Sequence, residues 1–79
     1  MDEKNKFKTI LQMLVPMIVN SICKEYNYEP LTAISKLYKS RLYYDLENEE
    51  TKLWHFSPLA LADLFYEEMT TGTIIYPEA

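Results

Sequence analysis

Apolar residues near the start of the chain fall at Phe7, Ile10, Leu11, Leu14, Ile18, Ile22 and Tyr26. Steps of three and four describe one stripe along a helix, so the pattern predicts a helix whose stripe faces a core. Pro16 interrupts it by removing a backbone donor and crowding the preceding turn. That leaves one helix kinked at Pro16, or a short helix followed by another that starts there. The stripe stays in phase across Pro16, which favours the kink. Asn27 is a natural stop. A second helix is expected from Pro30, with Leu31, Ile34, Leu37 and Tyr38 inward and Ala33 allowing close approach. Lys36 and Lys39 complement the dipole at its end. Ser40 is placed to cap a third helix that turns Leu42, Tyr43 and Leu46 inward and pairs Arg41 with Asp45 on its exposed side.

Asn48-Glu49-Glu50 reads as a turn or a helix start. Thr51 to Phe56 is too short for periodicity to separate a helical turn from an extended connector. Ser57-Pro58 is the clearest local signal. Ser caps, Pro takes the first helical position, and Leu61, Ala62, Leu64, Phe65 and Met69 follow as the buried face. Gly72 ends that helix. Thr73-Ile74-Ile75-Tyr76 is β-branched and aromatic, with Pro77 closing it. This tail can fold back on the helices, add to a partner's sheet edge, or stay loose. The expected architecture is all-α: one domain over residues 1–79, a bundle of three to four helices with a short extended C-terminal tail. Trp54 is expected near its centre, and Met13, Met17 and Met69 read as core filler.

Composition narrows the function more than the fold. Seventy-nine residues, 48% of them hydrophobic, exclude intrinsic disorder but bury only about 60–65% of the unfolded chain's surface. A net charge of −4 weakens a nucleic-acid reading, since neutralising phosphates needs a basic surface. The charge is uneven: Lys4, Lys6 and Lys8 lead, Lys36, Lys39 and Arg41 follow, and then come Asp45, Glu47, Glu49 and Glu50. Met13 to Val19 is too short to span a membrane, and no secretory cleavage pattern follows it. A lone Cys23 forms no internal disulfide and suits a buried position in a reducing cytoplasm.

Chemistry-bearing residues are sparse. His55 is the only neutral-pH acid–base candidate, with Ser57 or Cys23 as conceivable nucleophile. Ser57 already has a role as a helix cap. Asp45, Glu47 and Glu49 alternate like a calcium loop, but the required Gly and terminal bidentate Glu are missing. With one Gly there is no phosphate-binding loop. We therefore expect no enzyme, cofactor or metal. Seven tyrosines, in contrast, exceed what so small a core encloses, and Tyr favours interfaces. Tyr43 and Tyr44 are adjacent on a helix and cannot both face inward; the same holds for Phe65 and Tyr66. The candidate partner-binding residues are Tyr43, Tyr44, Asp45, Glu47, Glu49, Glu50 and Tyr66, an acidic and aromatic surface suited to a basic partner protein. A small DNA-binding regulator using Lys36, Lys39 and Arg41 is the alternative, and a self-assembling structural protein is a third.

The middle stretch adds a resemblance. It reads Ala33-x-x-x-Leu37-Tyr38-x-Ser40-x-x-Tyr43, then Leu46, Glu50-Thr51-Lys52-x-Trp54-His55 and Ser57-Pro58-x-x-Leu61. It resembles a group of short, uncharacterised helical proteins of Gram-positive bacteria, encoded in small operons and mobile regions, sometimes beside toxin-like proteins. The resemblance spans residues 18–68. It implies an antitoxin, immunity or accessory-subunit role and carries no catalytic motif.

Overall fold

The computed structural model describes residues 3–76, with side chains from Lys6 onward. Lys4 as a charged side chain and Pro77 as the close of the tail lie outside the described residues. Four α-helices form an all-α bundle: α1 (Glu3–Tyr26), α2 (Pro30–Lys39), α3 (Arg41–Leu46) and α4 (Pro58–Thr71). Two single 3-10 turns, Glu49–Thr51 and Leu53–His55, link α3 to α4.

Helix α1 runs unbroken through Pro16. The proline sits on the exposed side of the helix, where its ring has room and the carbonyl left without a donor can be hydrated. The helix ends where Asn27 takes a left-handed φ of 59° and its N–H bonds the Cys23 carbonyl at 3.1 Å. Ser40 alone turns the chain from α2 into α3. It is buried, its Oγ–H donates to the Leu37 carbonyl at 2.6 Å, and the same oxygen accepts the Tyr43 N–H at 3.1 Å. One hydroxyl thus closes one helix and opens the next. Ser57 accepts the Ala60 N–H, Pro58 opens α4, and Gly72 closes it at φ 81°.

The core is the meeting of α1 and α4, sealed by α2 and α3. Ile18 and Ile22, Leu37, Leu42 and Leu46, and Leu61 and Phe65 are all fully buried. Three expectations fail here. Trp54 is only half-buried: it packs edge-on against Phe7 at 5.9 Å, stacks on His55, and its Nε1–H donates to the Glu49 carbonyl at 3.0 Å. It fastens the double turn to the start of α1, while Phe65 occupies the centre. Leu31 and Tyr38 are exposed, because the buried arc of α2 is centred on Ala33 and Leu37 and both residues lie roughly a third of a turn or more away. Met13 and Met17 are exposed as well, on the side of α1 turned away from Ile18 and Ile22. Met69, by contrast, packs against the core.

Of its three possible courses, the tail takes the fold-back. Ile74 and Tyr76 pack on the core and Ile75 points outward, the alternation of an extended segment. The Ile75 N–H bonds Glu67 at 3.0 Å, and the Tyr76 hydroxyl donates to Asp45 Oδ2 at 2.6 Å.

Candidate functional site

The predicted acidic surface divides when it is folded. Tyr44 is 71% exposed while Tyr43 is half-buried, as their adjacency on one helix demands. Glu47, Glu49 and Glu50 are exposed. Asp45 is not on an exposed side. Its carboxylate accepts both the Arg41 Nε–H at 3.2 Å and the Tyr76 hydroxyl, so it is engaged within the chain. Tyr66 belongs elsewhere: it stacks flat on Tyr26, ring centres 3.9 Å apart, at the seam of α1 and α4. The structure therefore brings Tyr44, Glu47, Glu49 and Glu50 to the α3 end of the bundle, engages Asp45 within the chain, and leaves Tyr66 exposed at the seam with Tyr26.

Two tyrosine hydroxyls are held in their protonated form. Tyr26 donates to Asp63 Oδ1 at 2.5 Å, and that hydrogen bond, followed by burial, pushes its pKa up from 10.0 to about 12. Tyr76 is also raised, first by burial and then by its bond to Asp45. A folded pKa above the unfolded one stabilises the fold fully below pH 10.0, and the contribution is lost as pH rises through the folded value. Melting temperature should accordingly fall between pH 10.0 and about 12, and Tyr26→Phe should flatten the decline. An equally steep decline in Tyr26→Phe would place the alkaline sensitivity elsewhere.

The residues weighed for catalysis do not assemble. Ser57 serves as the α4 cap, and His55 is exposed against Trp54. Asp45, Glu47 and Glu49 lie on a helix, its C-terminal cap and a 3-10 turn, so their alternation in sequence does not become a ligand ring. Among the described residues no group of three His, Cys, Asp or Glu side chains could hold a metal ion. Likewise, no helix among them is long and apolar enough to cross a membrane.

What the sequence did not disclose is a groove between α1 and α2. One stretch of it, about 380 Å³, is lined by Val15, Pro16, Val19, Cys23, Pro30, Ile34 and Tyr38, with Asn20 as the polar member. A second stretch of about 220 Å³ shares Val15, Pro16 and Tyr38 and extends past Leu11 and Gln12 to Tyr43. The shared residues make it one channel along α1. Tyr38 faces solvent beside it at 51% exposure; the exposed Leu31 lines a separate depression on α2, and Met13 and Met17 lie on another side of α1. Tyr38 stands edge-on to Tyr43 at 4.8 Å and forms part of the wall. Burial raises the Tyr43 pKa, with Glu47 and Tyr38 adding to it.

One signal in the sequence pointed here. Val15, Val19 and Cys23, spaced four apart, make α1 apolar beyond the width of a single stripe. Comparison with protein-family models, with curated proteins and with solved structures finds no match for this chain.

Proposed function

We propose that this chain is a protein-interaction module that docks a partner protein in the groove between α1 and α2. The reading rests on one observation: a continuous apolar channel walled by Val15, Pro16 and Val19 on α1 and by Ile34 and the solvent-facing Tyr38 on α2. Exposed apolar side chains scattered singly are ordinary, but a continuous apolar channel is how docking surfaces look. Tyrosine suits the task by joining apolar area to a hydroxyl. The resemblance of residues 18–68 gives such docking a purpose, restraint of a toxin-like partner or service as an accessory subunit.

The exposed cluster of Tyr44, Glu47, Glu49 and Glu50 supports a second docking surface for a basic partner. The nucleic-acid alternative draws on Lys36 and Lys39, since Arg41 is engaged by Asp45.

The test is nuclease-treated affinity capture from source cells using three baits. One is the natural chain; one carries Pro16→Lys with Tyr38→Lys; one carries Gln at positions 47, 49 and 50. All these positions are exposed, so folding should be retained, and circular dichroism checks that. A stoichiometric protein kept by the natural chain and the Gln bait but lost from the Lys bait is the expected result. Loss from the Gln bait alone would move docking to the acidic cluster, and nucleic acid as the only retained species would favour the regulator.

A further inference from the structure

Tyr26 closes α1 and Tyr66 stands on α4, and their rings lie face to face, with centres 3.9 Å apart and planes 3° from parallel. Aromatic pairs held by packing alone favour offset or edge-on contacts with wider centre spacing. Tyr38 and Tyr43 obey that preference, edge-on at 4.8 Å and 78°. Tyr66 is exposed and Tyr26 half-buried, and the stacked pair lies outside the apolar cluster of the core. Its third member is Asp63, one turn before Tyr66 on the same helix, whose carboxylate accepts the Tyr26 hydroxyl at 2.5 Å.

This arrangement suits one chemistry, the one-electron oxidation of phenols. A tyrosine that gives up an electron becomes a strong acid, so the electron leaves readily where a base takes the proton at the same moment. Asp63 is that base for Tyr26, and the exposed Tyr66 gives its proton to water. Each neutral phenoxyl carries its unpaired spin on oxygen and on the ring carbons ortho and para to it. The para carbon bears Cβ, which leaves Cε1 and Cε2 to react. They couple through p orbitals perpendicular to the ring planes. Parallel stacked rings aim those orbitals at each other, whereas edge-on rings do not.

We infer that Tyr26 and Tyr66 are a cross-linking site, where a one-electron oxidant joins a Cε carbon of each ring into a dityrosine and Asp63 takes the Tyr26 proton. Two electrons and both hydroxyl protons leave, and one carbon–carbon bond forms. The coupled carbons then release their hydrogens as protons while both oxygens are reprotonated. Two phenols thereby become one biphenol, with a net loss of two protons and of two electrons to two equivalents of oxidant. The link fastens the end of α1 to α4 and, like a disulfide, restricts the unfolded chain. With Cys23 as its one cysteine, the chain has no internal disulfide to do this.

The experiment irradiates the full chain, kept dilute, with a ruthenium trisbipyridine complex and persulfate as the source of one-electron oxidant. Dityrosine fluorescence, intact mass and a peptide map are read on the monomer fraction. The expected product is a monomer lighter by two hydrogens, linked between Tyr26 and Tyr66 and melting at least about 5 °C higher. Tyr26→Phe and Tyr66→Phe keep the ring and the fold, which circular dichroism checks, and should abolish the monomer's dityrosine. Asp63→Asn keeps an acceptor without the base and should slow the reaction at least about tenfold. No dityrosine, dityrosine that persists in Tyr66→Phe, or dityrosine that maps as readily to Tyr38 and Tyr43 would overturn the site. So would a product confined to dimers joined through the exposed Tyr44. An unchanged rate in Asp63→Asn would overturn the proton transfer to Asp63.

Discussion

Phe65→Ala is expected to remove about 3–5 kcal/mol of stability, a large part of the roughly 4–12 kcal/mol a chain of this length commands. Phe65 is fully buried where α1 and α4 meet, and Tyr28 packs edge-on against its ring at 5.8 Å. Truncation loses the transfer energy of the ring and leaves a cavity that the surrounding helices cannot fully close. Thermal unfolding followed by circular dichroism should show a drop of at least about 12 °C. Trp54→Ala is the internal comparison. Its ring is half-buried and its Nε1–H bonds a carbonyl in an exposed turn, so about 2 kcal/mol is expected. A larger loss from Trp54→Ala than from Phe65→Ala would return the centre of the core to the tryptophan.

Glu68→Ala should cost about 2–3 kcal/mol, a large effect for a surface carboxylate. Glu68 on α4 accepts the N–H of Arg41 through Oε2 at 2.8 Å and the N–H of Leu42 through Oε1 at 3.0 Å. Ser40 takes the next N–H, that of Tyr43, so the first three donors of α3 are all engaged. Leu42 is fully buried, which leaves its N–H little access to water once the carboxylate is gone. The negative charge also meets the positive end of the α3 dipole. Glu68→Gln retains one acceptor and drops the charge, so about half the loss is expected. Denaturant midpoints measure both. An unchanged midpoint in Glu68→Ala would mean that water replaces the carboxylate and that α3 is held by its apolar side chains alone.

These two residues show different degrees of legibility. Phe65 stood in a periodic run after Ser57-Pro58, and its burial follows from that run. Its rank above Trp54 does not, because which of two aromatic side chains takes the centre depends on how α1 crosses α4. Nothing local marks Glu68 as a cap for a helix that begins 27 residues earlier in the chain. The site behaved in the same way. Adjacency on one helix predicted that Tyr43 and Tyr44 would part, and they do. The engagement of Asp45 by Tyr76 required the tail to fold back, an outcome the β-branched tail left open.

Caps, stops and periodicity act over a few residues, so the sequence by itself determined the helical class, the Ser40 and Ser57 starts, the Asn27 and Gly72 ends, and most of the buried stripe. The groove is different in kind. Val15, Pro16 and Val19 become one wall and Pro30, Ile34 and Tyr38 the other only when α2 lies beside α1 at a particular angle. That angle is set by the packing of Ala33 and Leu37 into the core with Ile18 and Ile22 and by the short link of residues 27–29. Exposure of Met13, Met17 and Leu31 is likewise a tertiary outcome, because a side chain is buried by its neighbours and not by its own character.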